Sequence, residues 1–276
     1  MSNTGLRGFA QNGLLACLSI ILILITWKVF VVISGYPPYI IAPPEAAIAH
    51  LWNNWGEMAP LLRATLYETV IGYILGSAFG FAIAVLMAQF RVAQRIVYPG
   101  LVVSQSIPIV AIAAPLALLF GFGMVPKLIV IGLIVFFPVA INVLDGLSSV
   151  DRDVLNLARV LGASPGRIFT MVKLPACIGP LFTGLKIGAS YAVTGAVIGE
   201  WTASSTKGLG TYLLTSKASL NTAAVYGDTL LLTVIGVGSF VIMLILGVIV
   251  TPWQWSATAP KWLQPKIRLT EKGRIE

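Results

Sequence analysis

Long apolar runs separated by short polar stretches set the pattern of this chain. The runs fall at about residues 14–34, 65–88, 96–120, 126–144, 179–200 and 227–250. Each approaches the roughly 20 residues a helix needs to cross a bilayer. None shows the two-residue alternation of a barrel strand, so the predicted elements are helices. Gly121-Phe122-Gly123-Met124-Val125, with Pro126 after it, reads as the turn of a helical hairpin between the third and fourth runs. The expected architecture is all-α: a polytopic transmembrane helical bundle of about six spans, forming one domain over residues 1–276.

The first run is longer than the 7–15 apolar residues of a secretory signal, and no small-residue cleavage site follows it. A retained anchor is expected. Between the first two spans, Pro37-Pro38 and Pro43-Pro44 bracket an extended stretch. Ala46, Ala47, Leu51 and Trp55 then recur at helical spacing, with Trp52 and Trp55 suited to a membrane interface. The second span carries Gly72, Gly76, Gly80, Ala84 and Ala88 at four-residue intervals, and the fifth repeats this with Gly184, Gly188, Ala192 and Ala196. Such stripes let helix backbones approach closely in lipid, so both spans should pack inside the bundle.

Composition agrees: 57% of residues are hydrophobic and 10% charged, against about 25% charged in soluble domains. The net charge of +8 is distributed as a topology signal. With six alternating spans, twelve Lys and Arg residues fall on one side, against four on the other (Arg63, Lys127, Lys207 and Lys217). By the positive-inside rule both termini are cytoplasmic, and residues 253–276 form a basic cytoplasmic tail. Nucleic acid is not an expected partner, because no basic face interleaved with aromatics occurs; membrane lipid is. Cys17 and Cys177 have neither metal nor disulfide spacing, and His50 is the lone histidine. Without H-E-x-x-H or G-x-S-x-G, no catalytic or metal-binding residue is expected.

Residues 145–178 are the one long polar stretch between spans. Ser148 and Asp151 match a capping pattern, and Val150, Val154, Leu157, Ala158 and Leu161 follow helical periodicity. Gly162 stands where a helix C-terminus places glycine, and Ser164-Pro165 reads as a new N-cap and first turn. Ile168, Phe169 and Val172 give a second short apolar face, which Leu174-Pro175 should stop. Two short amphipathic helices result, too short to be stable alone. They must bury against lipid, the span ends or a partner's groove.

The segment Ala158-Arg159-Val160-Leu161-Gly162, then nine residues, then Val172-Lys173-Leu174-Pro175, resembles the EAA signature of importer permeases of the ATP-binding cassette (ABC) class. Asn156-Leu157 stand where that signature has Glu-Ala. Ile107-Pro108, Ala114-Pro115-Leu116, Phe120-Gly121-Phe122-Gly123, Phe137-Pro138 with Ile141-Asn142, and Gly199-Glu200 followed by Lys207-Gly208-Leu209-Gly210 are similar to the nitrate, sulfonate and taurine branch. The resemblance implies a type I ABC importer permease fold, with 145–178 as the cytoplasmic coupling loop. Asn156, Leu157, Ala158, Arg159, Gly162, Ala163, Arg167, Leu174 and Pro175 would meet an ATPase. It also implies a second permease copy in a two-fold pair, an extracytoplasmic solute-binding protein, and a bacterial plasma (inner) membrane.

No G-x-x-x-x-G-K-[ST] loop is present, so ATP and Mg would be held by partner subunits and no cofactor by this chain. Glu68, Glu200 and Asp228 lie near the exterior ends of spans, where intramembrane acids count as functional candidates. Gln105, Pro108, Asn142 and Glu200 are the expected pathway or gate residues. The cargo is expected to be a small polar solute: nitrate, sulfonate, taurine or bicarbonate, or a thiamine pyrimidine precursor or related vitamin. An ion-coupled secondary transporter is the alternative, although no inverted repeat is visible.

Overall fold

A computed structural model describes residues 3–203 and 207–251; the expected basic tail at 253–276 lies outside them. The order is α1 (Asn3–Ser34), α2 (Pro44–Asn53), α3 (Trp55–Gln89), α4 (Arg91–Gln105), α5 (Ile109–Phe120), α6 (Met124–Ser148), α7 (Arg152–Val160), α8 (Pro165–Ile168), a π-helical turn (Phe169–Lys173), α9 (Leu174–Ala203), α10 (Leu209–Ala218) and α11 (Thr222–Val250). Helices Trp55–Gln89, Met124–Ser148, Pro165–Ala203 and Thr222–Val250 are each long and apolar enough to cross a membrane. The segment Leu18–Ser34 of α1 is apolar as well.

The third expected span is not one straight helix. It breaks after Gln105 into α4 and α5, bent by 101°. Pro108, the N-cap of α5, has no N–H to continue the α4 ladder and forces the residue before it out of helical geometry. Neither half alone has the length to span.

α6 is the central helix, gripped by α3 on one side and α9 on the other, with α11 packed on α9. The small-residue stripes create that grip. A Cβ at Gly76 would lie 2.7 Å from the Gly132 carbonyl oxygen, and one at Gly184 would lie 2.7 Å from that of Pro138. Val135, Val139 and Val143 fill the buried seam so formed. α1 stands apart, touching the body near its end through Trp27 stacked on Tyr226 at 5.2 Å and an ion pair from Lys28 to Glu45 of α2. That lysine's hydrogen bond holds the exposed Glu45 carboxyl below the ordinary range.

The polar connection between α6 and α9 forms the two short helices predicted from sequence, here called the hairpin, with two differences. Ser148 ends α6 instead of capping α7; Asp151 is the cap, accepting from the Asp153 N–H at 2.9 Å. Leu174-Pro175 does not stop the second helix. The π turn inserts an extra residue, with the Leu174 N–H reaching Phe169 O, and the helix runs on into α9. A register shift of this kind accommodates a proline that cannot donate to the α ladder.

Candidate functional site

Three places concentrate polar or exposed chemistry: the hairpin, a groove beside the α4–α5 bend, and the end of the bundle far from the hairpin.

In the hairpin, Gly162 adopts φ +80, a region glycine enters without steric cost. The Gly162 N–H meets Arg159 O at 2.9 Å and the Ala163 N–H meets Ala158 O at 3.0 Å, the paired bonds of a Schellman stop. Ser164 then caps α8, accepting from the Arg167 N–H at 3.4 Å. Local bonds, two from the backbone and one to the Ser164 hydroxyl, therefore fix the elbow. No residue of α7 is buried. Leu157 is 60% exposed, Leu161 77% and Val160 84%, while Asn156, Arg159, Arg167 and Pro175 are also exposed. Ala158, Ala163 and Leu174 are half-buried. Arg159 Nη1 donates to Asn156 Oδ1 at 2.6 Å. All nine expected coupling residues thus lie along one elbow and the helix that leaves it.

The groove, of about 760 Å³, lies between the bent pair, α6 and α9. Gln105 and Asn142 line it together with Ser104, Phe136, Phe137 and Tyr191. Pro108 sits between two lining residues, Ile107 and Ile109. Asn142 Nδ2 donates to Pro138 O at 2.7 Å, leaving its carbonyl oxygen available, and Ser104 Oγ donates to Leu101 O at 2.7 Å. No Asp, Glu, Lys or Arg is among the lining residues. Glu200 is not there either.

Glu200 belongs to the far end, where it is 1% exposed. Its Oε1 accepts from Thr65 Oγ1 at 2.6 Å and its Oε2 from the Thr211 N–H at 3.1 Å. Thr65 Oγ1 in turn accepts from the Leu209 N–H at 2.9 Å. A side chain at Gly208 would collide with the Glu200 carboxylate, and one at Gly210 would come 3.0 Å from the Val197 backbone. Those approaches explain the glycines of the Lys207–Gly210 block. Lys127, counted from sequence as an exterior loop charge, is 1% exposed and donates to Glu68 Oε1 at 2.7 Å. The side chain folds inward because Glu68 offers a counter-charge where lone burial would be costly. Asp228 is fully buried, and neither of its oxygens has a hydrogen-bond partner among the described residues. His50 is half-buried, its Nε2 2.8 Å from Tyr212 Oη, which links α2 to α10. Burial, with Glu57 and Asp228 nearby, pushes the Tyr212 phenol up.

Sequence reading missed Lys127, Thr65 and Tyr191. The available signal for Lys127 was its position: a lysine and the acid Glu68 at the same end of two neighbouring spans.

A bundle of apolar spans with an exposed amphipathic elbow is the build of a multi-pass membrane protein. Residues 76–256 match the model of the binding-protein-dependent transport system inner membrane component family, and the chain belongs to that family. It is 35% identical over 210 residues to a probable ABC transporter permease protein of Haemophilus influenzae, covering 76% of this chain and 85% of that one. It is 29% identical over 234 residues (85% and 93%) to the formylaminopyrimidine transport permease protein ThiX of Halalkalibacterium halodurans. It is 26% identical over 241 residues (84% and 86%) to the taurine transport system permease protein TauC of Escherichia coli. The chain is therefore an ABC importer permease for a small solute, a transport subunit and not itself an enzyme. Its family works with ATPase subunits and a binding protein.

Proposed function

We propose that this permease pairs with a second copy of itself in a bacterial inner membrane, with both termini and the hairpin in the cytoplasm. The hairpin receives the movement of a separate ATPase subunit, which binds ATP and Mg. The groove beside the α4–α5 bend lines the path of the cargo, and Gln105, Pro108 and Asn142 act there. Glu200 serves that path indirectly, by holding the far ends of α3, α9 and α10 together.

The cargo best matched is a flat, uncharged heterocycle of the vitamin-precursor kind. The observation that carries this choice is the groove lining: amides, hydroxyls and aromatic rings set among aliphatic side chains, with no cation to offset an anionic cargo. Phe136, Phe137 and Tyr191 offer ring faces, and Gln105 and Asn142 offer directed hydrogen bonds, the mix that orients small ligands in a mainly apolar site. The formylaminopyrimidine permease among the relatives is named for such a solute, while the taurine relative is named for a zwitterion whose sulfonate would find no cationic partner in this groove.

Uptake into proteoliposomes containing permease, ATPase and cognate binding protein tests this choice. An aminopyrimidine should be accumulated, with taurine and alkanesulfonates neither transported nor competing. Asn142→Leu should lower uptake about tenfold while leaving binding-protein affinity unchanged, the loss of one or two directed hydrogen bonds. Accumulation of taurine in preference to the pyrimidine would overturn the assignment of cargo.

A further inference from the structure

The charges on the hairpin specify the surface it can meet. The segment from Val154 to Gly199 contains no Asp or Glu, while Arg159, Arg167 and Lys173 all fall in the hairpin. The hairpin's two acids, Asp151 and Asp153, sit at the opposite end of α7, and Asp151 is engaged as its cap. Asn156 then has a definite effect. Its amide oxygen holds one nitrogen of the Arg159 guanidinium at 2.6 Å, orienting the group while leaving its charge and its other donors free. A carboxylate at 156, one helical turn before Arg159, would orient the arginine equally but cancel its charge. Neither Arg159 nor Arg167 has an ion-pair partner among the described residues.

Resting on the coupling role proposed above, we infer that the ATPase groove receiving this hairpin has an apolar floor for Leu157, Val160 and Leu161 and a rim of carboxylates facing Arg159 and Arg167. An acid-bearing hairpin would require a basic rim, so this permease is matched to an ATPase of the opposite polarity. The same cations could also face anionic lipid. Protein is favoured because α7 is nine residues long and ends in a fixed left-handed turn. That arrangement presents a compact knob suited to a groove, not the extended stripe of an interfacial helix.

The test uses full-length permease in nanodiscs of zwitterionic lipid and the purified ATPase encoded with it. Their affinity should fall several-fold between about 0.05 M and about 0.5 M salt, as exposed charges become screened. Arg159→Glu and Arg167→Glu should each weaken binding roughly tenfold or more. Asn156→Glu should also weaken it, and reversing a groove carboxylate to arginine should restore the Arg159→Glu variant. Unchanged or tighter binding of Arg159→Glu or Asn156→Glu would overturn the carboxylate rim. Leu157→Asp separates the two ideas. If it abolishes binding while the arginine variants do not, only the rim is wrong; if it binds normally, the docking role itself fails. Should the arginine variants lose function only in discs containing anionic lipid, with ATPase affinity intact, the cations belong to the membrane and the inference falls.

Discussion

At the hairpin, Leu157, Val160 and Leu161 stand in solvent, whereas at the far end of the bundle Lys127, Glu68 and Glu200 are shut away from it. Each region inverts the usual placement of its side chains. The elbow of the hairpin is ordered by local devices, the Schellman stop at Gly162 and the Ser164 cap; α7 buries no residue, and tertiary burial enters only through Ile168 and Phe169 after the elbow. The far end is ordered by side chains that reach across α3, α6, α9 and α10. Exposed apolar surface on a locally capped frame is open to a partner. Buried charge with its partners in place is not. Under the coupling role proposed above, the hairpin is the contact that a partner covers and the far end is the clasp that holds α3, α6, α9 and α10 together.

Substitutions can break this contrast, and the largest effect is expected at the clasp. Lys127→Met leaves the Glu68 carboxylate buried without its cation, which costs about 3–5 kcal/mol. The folded yield and unfolding midpoint in detergent should both drop sharply. Adding Glu68→Leu should recover much of the loss, since an apolar pair can replace a buried ion pair. Thr65→Val removes both the donor to Glu200 and the acceptor for the Leu209 N–H. About 1–3 kcal/mol should be lost, visible as a lower midpoint with Thr65→Ser nearly unaffected. Gly76→Val, pressing on the Gly132 backbone, should cost a similar amount by overpacking, about 1–3 kcal/mol.

At the hairpin the balance reverses. Gly162→Val forces a branched side chain into φ +80, a local strain of about 1–2 kcal/mol. The midpoint of the spans should hardly move while ATP-driven uptake is lost; Pro175→Ala should reduce uptake less. Leu157→Asp should change the unfolding free energy by no more than about 0.5 kcal/mol, as surface substitutions do, yet abolish stimulation of the ATPase. Normal uptake by both Gly162→Val and Leu157→Asp would remove the distinction between the two ends.

Much of the hairpin was legible because its signals are local: Gly162 and Ser164-Pro165 act within a few residues of chain. The small-residue stripes were legible through their period, and the structure adds that both close on α6. The clasp was illegible in the sequence because its partners are remote. Lys127 and Glu68 lie 59 positions apart, and Thr65 and Glu200 lie 135 apart. A basic residue beside Pro126 reads as a loop charge until a counter-charge is brought to it. The broken third span was half legible: Pro108 cannot continue a helical ladder, but a 101° bend is set by what α4 and α5 pack against, which no local signal carries. The stop expected at Leu174-Pro175 failed because a π turn can absorb a proline that a regular α ladder cannot.

The central claim is that this chain moves its solute only when a separate ATPase acts on the hairpin. Its most direct test is uptake by proteoliposomes holding permease, ATPase and binding protein, with ATP and the ion gradient varied independently. Uptake should require ATP, survive collapse of the ion gradient, and vanish in Leu157→Asp although that variant folds. Uptake that persists without ATP and collapses with the gradient would contradict the account and identify an ion-coupled carrier instead.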